Sequence, residues 1–101
     1  MTKMVAVAAC IAGVAHTYMA KANLEKVAKQ KGIDMKVETQ GSMGVENKLT
    51  AEDIAEADVV IFAVDTNVAE RDRFDGKEIL EVGTTDVVKD GNAVIEQAMN
   101  M

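Results

Sequence analysis

The sequence predicts an α/β domain: a four-stranded parallel sheet of order 2-1-3-4, flanked by helices. Three observations carry this. Two short runs, Met4 to Ala9 and Val59 to Val64, are apolar throughout, as suits strands covered on both faces. A third segment, Ile33 to Gln40, alternates apolar and polar, so one of its faces is expected to meet solvent. Helical stretches fall between these segments. Strand and helix in alternation give right-handed crossovers and parallel pairing.

The elements follow in order. Met4 to Ala9 forms the first strand, and Gly13 marks a turn. From Val14 to Lys31 the residues Ala20, Leu24, Val27 and Ala28 recur at helical spacing, with Lys21, Glu25, Lys26 and Lys29 elsewhere. Gly32 suits the end of that helix. In the second strand Ile33, Met35, Val37 and Thr39 point one way, and Asp34, Lys36, Glu38 and Gln40 the other. A glycine loop, Gly41-Ser42-Met43-Gly44, comes next. Thr50-Ala51-Glu52-Asp53 reads as a capping box opening a short helix to Glu56. Ala57 to Val64 holds the third strand. A polar loop, Asp65 to Lys77, carries Arg71 and Arg73 as solvated charges or partner contacts. Glu78 to Val82 is a short fourth strand. Thr84 or Thr85 caps a last helical region that reaches Asn100 and breaks near Gly91. The apolar strands belong in the middle of the sheet and the mixed ones at its edges. The winding direction then changes between strands one and three, where open α/β sheets place ligands at the carboxyl ends of their strands.

Composition narrows the function classes. The chain has 101 residues, net charge −6, 49% apolar and 28% charged residues, which suits one folded domain spanning residues 1–101. A lone Cys excludes an internal disulfide and suits a reducing, cytoplasmic setting. The acidic balance argues against nucleic acid and against anionic membranes. The longest apolar stretch, Met4 to Ala15, is about 12 residues against the ~20 of a membrane span, so no direct membrane insertion is expected. Val7-Ala8-Ala9-Cys10 resembles a lipoprotein cleavage site. However, only Lys3 precedes it as a charge, and Met4 to Ala9 is shorter than the ~7–15 residues of a signal core. One Cys and one His with no close acidic partner do not make a metal site, and no cofactor is called for.

The chemistry concentrates in Cys10-Ile11-Ala12-Gly13-Val14-Ala15-His16-Thr17. A Cys leaves a buried strand, a loop of small residues with one Gly follows, and a helix begins. Main-chain N–H groups of such a loop, with the helix N-terminus, form a concave anion site. A thiolate there has a lowered pKa and is a competent nucleophile. A phosphocysteine follows: sulfur takes the phosphoryl group while the Ile11 to Thr17 amides hold its oxygens. Phosphoryl transfer needs chiefly positioning and charge stabilisation, which a short loop can supply. His16 can orient the loop or add positive charge, and the Thr17 hydroxyl can donate to the thiolate. Gln40, Gly41, Ser42 and Gly44 follow strand two beside this loop and are candidate site or partner contacts. Asp65, at the end of strand three, is a candidate acid. The plainer alternatives are a buried apolar Cys10 and a structural His16.

The Cys10 to Thr17 segment, continued by Tyr18-Met19-Ala20, closely resembles the active-site segment of the fructose-family IIB component of the bacterial phosphoenolpyruvate-dependent sugar phosphotransferase system. The family's usual run is Cys-Pro-Thr-Gly-Ile-Ala-His-Thr; here Ile11 and Ala12 replace Pro and Thr. Losing Pro frees the backbone, and losing Thr removes a hydroxyl, but the nucleophile and the main-chain donors remain. The likeness continues through Val37-Glu38-Thr39-Gln40-Gly41-Ser42 with Gly44, Leu49 to Ile54, Ala57 to Ile61, and Glu70-Arg71, Arg73-Phe74 and Gly76-Lys77. The resemblance implies a four-stranded parallel α/β fold. It implies that Cys10 accepts a phosphoryl group from a phosphohistidine of a IIA protein or domain. Cys10 then passes it to a sugar, typically fructose, held by the membrane IIC permease. The loop also resembles that of low-molecular-weight tyrosine phosphatases, with His16 standing where their Arg would be. A small cysteine-dependent phosphatase is therefore the alternative, and a thiol-bearing interaction or redox-sensing domain the third.

Overall fold

Strands that are apolar on both faces need cover on both sides, and the chain supplies it. The structure, a computed structural model, describes residues 3–9, 14–41, 44–64 and 71–100. In chain order its elements are β1 (Lys3–Ala9), α1 (Val14–Lys31), β2 (Asp34–Gly41), β3 (Gly44–Glu46), α2 (Ala51–Glu56), β4 (Val59–Val64), a 3-10 turn (Arg71–Phe74), β5 (Ile79–Val82) and α3 (Thr84–Met99). The sheet order is β3-β2-β1-β4-β5. β1 pairs in parallel with β2 and β4, and β4 with β5. The four expected parallel strands therefore stand in the expected order.

The correction is a fifth strand. The segment expected as a glycine loop turns back as a hairpin. β3 runs antiparallel to β2, with Thr39 opposite Glu46 and Gly41 opposite Gly44. Gly41 and Gly44 bracket a connection short enough for a tight hairpin. The sheet is mixed rather than purely parallel, and β2 is not an edge.

Alternate side chains of the central strands feed two cores. Met4, Ala6 and Ala8 of β1, with Ile61 and Ala63 of β4, pack against Ala20, Leu24 and Ala28 of α1 and Val87 and Ile95 of α3. On the opposite face Val5, Val7, Val60 and Phe62 pack against Leu49, Ile54 and Phe74. Burial on both faces is why β1 and β4 lack the period-two alternation of a half-exposed strand. Phe62 and Phe74 meet edge to face, centroids 5.1 Å apart at 81°. That contact fastens the 3-10 turn to the sheet.

Local chemistry sets the helix ends. α1 stops at Gly32, whose φ of +70° only glycine adopts without strain. At α2 the Asp53 N–H donates to Thr50 Oγ1 (3.0 Å) and the Thr50 N–H donates to Asp53 Oδ2 (2.9 Å), the expected capping box. Lys77 Nζ donates to the Ala55 and Ala57 carbonyls at the other end of α2, at 3.0 and 3.1 Å. The start of α3 needs correcting. The capping position is Gly83, not Thr84 or Thr85; its N–H donates to Asp86 Oδ2 at 3.1 Å, and Thr84 is already helical and buried.

The break in α3 falls at Asp90 (φ −156°, ψ 80°), beside the expected Gly91. Asp90 Oδ1 accepts the Ala93 N–H at 3.0 Å and restarts the helix as a cap would. Asn23 of α1 donates from Nδ2 to the Val87 and Val88 carbonyls just before the break, at 3.2 and 3.1 Å. One side chain thus joins two helices and satisfies carbonyls at the kink. Asn23→Ala should cost about 1–3 kcal/mol of stability by leaving those carbonyls short of a donor, read as a lower urea midpoint at unchanged slope. Thr50→Ala should cost about 1 kcal/mol by opening the capping box, on the same assay.

Candidate functional site

In parallel strands every carboxyl end falls on the same edge, and here three of them align. Ala9, the last residue of β1, pairs with Gln40 of β2 on one side and Val64 of β4 on the other. The chain's next strand after β1 lies on one flank and β4 on the other, so β1 and β4 bracket the change of winding direction. α1 begins at Val14, on this edge. Its first turn holds no acidic residue and its last turn holds Lys29 and Lys31, so no acidic side chain of the helix itself offsets the positive N-terminal end of this 18-residue helix.

Thr17 lies in that first turn, on the same buried stripe as Ala20, Leu24 and Ala28. It is 2% exposed, and its Oγ1 has no hydrogen-bond partner among the described residues. Gln40 sits at the rim of β2, and Gly41 and Gly44 form the hairpin ends. Cys10, Ile11, Ala12, Gly13, Ser42 and Asp65 lie outside the described residues, as do the side chains of Val14, Ala15 and His16.

The expected solvent face of β2 is only partly exposed, and its inner end carries a network the sequence reading missed. Glu38 is 0% exposed. Arg73 grips it through two bonds, Nη1 to Oε1 and Nη2 to Oε2, both 2.9 Å. Gln40 Nε2 donates to Oε2 at 2.7 Å and the Leu49 N–H to Oε1 at 2.9 Å. The Arg73 guanidinium lies over the Phe74 ring, 4.9 Å from its centroid. Arg73 is therefore not a solvated charge. Arg71 is closer to that expectation: it is half exposed, pairs with Glu81 at 3.1 Å and lies over Phe62. Burial pushes the Glu38 carboxyl up, but Arg73, Gln40 and the Leu49 N–H outweigh it and hold it below the usual range. The one sequence signal was a cation spaced against an aromatic anchor, Arg71-Asp72-Arg73-Phe74.

A second tie crosses the hairpin. The Tyr18 hydroxyl donates to Glu46 Oε2 at 2.9 Å, joining α1 to β3. That hydrogen bond to a carboxylate raises the phenol's pKa. Among the described residues no helix is long and apolar enough to cross a membrane.

An open sheet with a change of winding at its carboxyl edge, and the amino end of a long helix on that edge, defines a class of anion-handling α/β proteins. The family model described as "PTS system, Lactose/Cellobiose specific IIB subunit" matches residues 5–97. The chain belongs to the IIB components of the sugar phosphotransferase system, which are phosphotransferases, and it is of the fructose-like kind. It is 54% identical over 97 residues to the "PTS system fructose-like EIIB component 2" of Escherichia coli K12, covering 96% of this chain and 92% of that one. It is 46% identical over 98 residues to the "PTS system fructose-specific EIIABC component" of Bacillus subtilis, covering 97% of this chain and 15% of that one. A crystal structure of a domain from a fructose-specific IIABC component of Borrelia burgdorferi superposes with a TM-score of 0.93 at 45% identity, covering 98% and 94% of the two chains.

Arg73→Met should cost about 3–5 kcal/mol at neutral pH by leaving a buried carboxylate without its cation. The pH dependence separates the two chains. In the native chain the depressed Glu38 contributes fully above the ordinary Glu value of about 4.3, and its contribution fades as pH falls through the depressed folded value. Without Arg73, burial dominates and raises the carboxyl, so the variant loses stability as pH rises. Urea midpoints of the two chains should converge as pH is lowered from 7 to 4; a constant gap would contradict this account.

Proposed function

We infer that Cys10 is the phosphoryl acceptor of this IIB chain, and that residues 1–101 act as one phosphocarrier unit. The donor is a phosphohistidine on a IIA protein or domain. The final acceptor is a sugar, fructose or fructose-like, held by a membrane IIC permease on its cytoplasmic side. In the first step the thiolate sulfur attacks phosphorus; the S–P bond forms, the N–P bond breaks, and the departing imidazole takes up a proton. In the second step a sugar hydroxyl attacks phosphorus and gives its proton to a base or to water at the sugar site; the O–P bond forms, the S–P bond breaks, and the thiolate is regenerated.

The observation that carries this reading is positional. Cys10 follows directly on the last residue of β1, and Ile11-Ala12-Gly13 separates it from the amino end of α1. At that point of an open α/β sheet a short connection and a helix end are able to supply main-chain donors to a sulfur. The buried Thr17 hydroxyl in the first turn, without a partner among the described residues, supports it further, as a donor to the sulfur or to a phosphoryl oxygen. The Bacillus relative, whose printed name joins A, B and C components, supports the IIA and IIC partners.

The phosphatase alternative asks for a guanidinium free to clamp the transferring phosphate. The chain has two arginines. Arg73 is engaged by Glu38 and Arg71 by Glu81, which favours the carrier. Incubation with a phosphorylated IIA protein should add one phosphoryl mass to the native chain and none to Cys10→Ser. Label retained by Cys10→Ser would remove Cys10 from the role, and steady release of phosphate from an aryl phosphate would favour the phosphatase. Thr17→Val, close in shape but without the hydroxyl, should slow labelling by about tenfold while leaving the fold intact.

A further inference from the structure

We propose that the Glu38–Arg73 ion pair is a positioning device for phosphoryl transfer, because it fixes the side-chain amide of Gln40 at the sheet rim beside the last residue of β1. The inference rests on the reading of Cys10 as phosphoryl acceptor and extends the machinery to residues outside the Cys10–Thr17 segment.

The geometry is a chain of constraints. Gln40 faces Ala9 across the β1–β2 ladder, one residue short of Cys10. A glutamine amide turns freely unless a partner holds it. Here Nε2 is committed to Glu38 Oε2 at 2.7 Å, so the direction of Oε1 is set as well. Glu38 in turn cannot rotate. Both its oxygens are held from other segments, by the Arg73 fork and by the Leu49 N–H. Arg73 is steadied by the Phe74 ring beneath it, and Phe74 by its edge-to-face contact with Phe62 of β4. The Gln40 amide is thereby referenced to β2 and β4, the two strands flanking β1.

Stability alone does not call for such a pair. Buried ion pairs are often replaced by apolar residues of similar volume without loss. What a fully partnered network adds is one defined arrangement. Phosphoryl transfer depends on placement, and a displacement of about 1 Å can cost on the order of 10²-fold in rate.

The test compares three chains with the native one: Glu38→Leu with Arg73→Met, Gln40→Ala, and all three substitutions together. Single-turnover labelling from a phosphorylated IIA protein gives the rate, and its donor dependence gives KM. The double exchange should keep the thermal transition and still be labelled, but about tenfold more slowly, with donor KM unchanged. Gln40→Ala should slow transfer similarly, and the triple variant should be no slower than either, since the amide has already lost its hold. A double exchange that transfers at the native rate would overturn the proposal. So would a triple variant whose slowing is the product of the separate effects, or a change confined to KM. If the double exchange does not fold, Arg73→Lys keeps the charge without the fork. Slowing in kcat alone then supports the proposal, and a native rate overturns it. Absence of label on the native chain would instead count against the Cys10 reading, and is observed separately from these ratios.

Discussion

A carboxylate taken wholly out of water must be surrounded by donors, and the structure is arranged to meet that requirement at Glu38. Four donors from three separate stretches reach it: the two Arg73 nitrogens, the Gln40 amide and the Leu49 N–H. Two of these stretches lie outside the strands. Leu49 lies in the run before α2, and Arg73 in the turn between β4 and β5. Satisfying one charge therefore joins the second core to the polar face of β2. The burial cost of the charge adds a polar tie to the apolar contacts of Leu49 and Phe74 that already hold these segments.

That arrangement leaves the opposite end of the sheet for smaller ties. Lys3 pairs with Glu56 at 2.6 Å, and Lys36 with Asp53 at 2.8 Å, both nearer to solvent. The two ends of the sheet differ accordingly. The amino edge is closed by exchangeable surface pairs, which contribute little each. Toward the carboxyl edge, the polar face of β2 is ordered from beneath by a buried network. Group transfer in general gains most from order close to the reacting atoms.

Much of the fold was legible in the sequence because the signals were local. Unbroken apolar runs identified β1 and β4, the capping box marked α2, and the alternation of Ile33 to Gln40 assigned the faces of β2 correctly as to direction. What alternation could not say is what would cover the polar face. Glu38 and Lys36 look alike in such a pattern, yet only Glu38 is sealed, because its cover comes from Arg73, 35 positions away. β3 was missed for a related reason: three residues beginning at Gly44 carry too little pattern to announce a strand. Thr84 and Thr85 were plausible caps by residue type, but the Asp86 side chain reached the Gly83 N–H first. At the site, the Cys-Gly segment and the family resemblance were readable directly. Arg73 and Asn23 were not, because each acts through a distant partner.

The hairpin at the sheet's margin has a consequence of another kind. A strand as well bonded as β2, left bare, would offer its unpaired amides to any passing chain. β3 covers the last three residues of that side, and Asn47 Nδ2 donates to the Val37 carbonyl beside it at 2.9 Å. β3 is only three residues long, with Glu46 tied back by Tyr18, so it offers a second molecule too short a template for addition. The protein can therefore carry two wholly apolar strands at its centre while the carboxyl end of β2 is closed to edge-to-edge polymerisation.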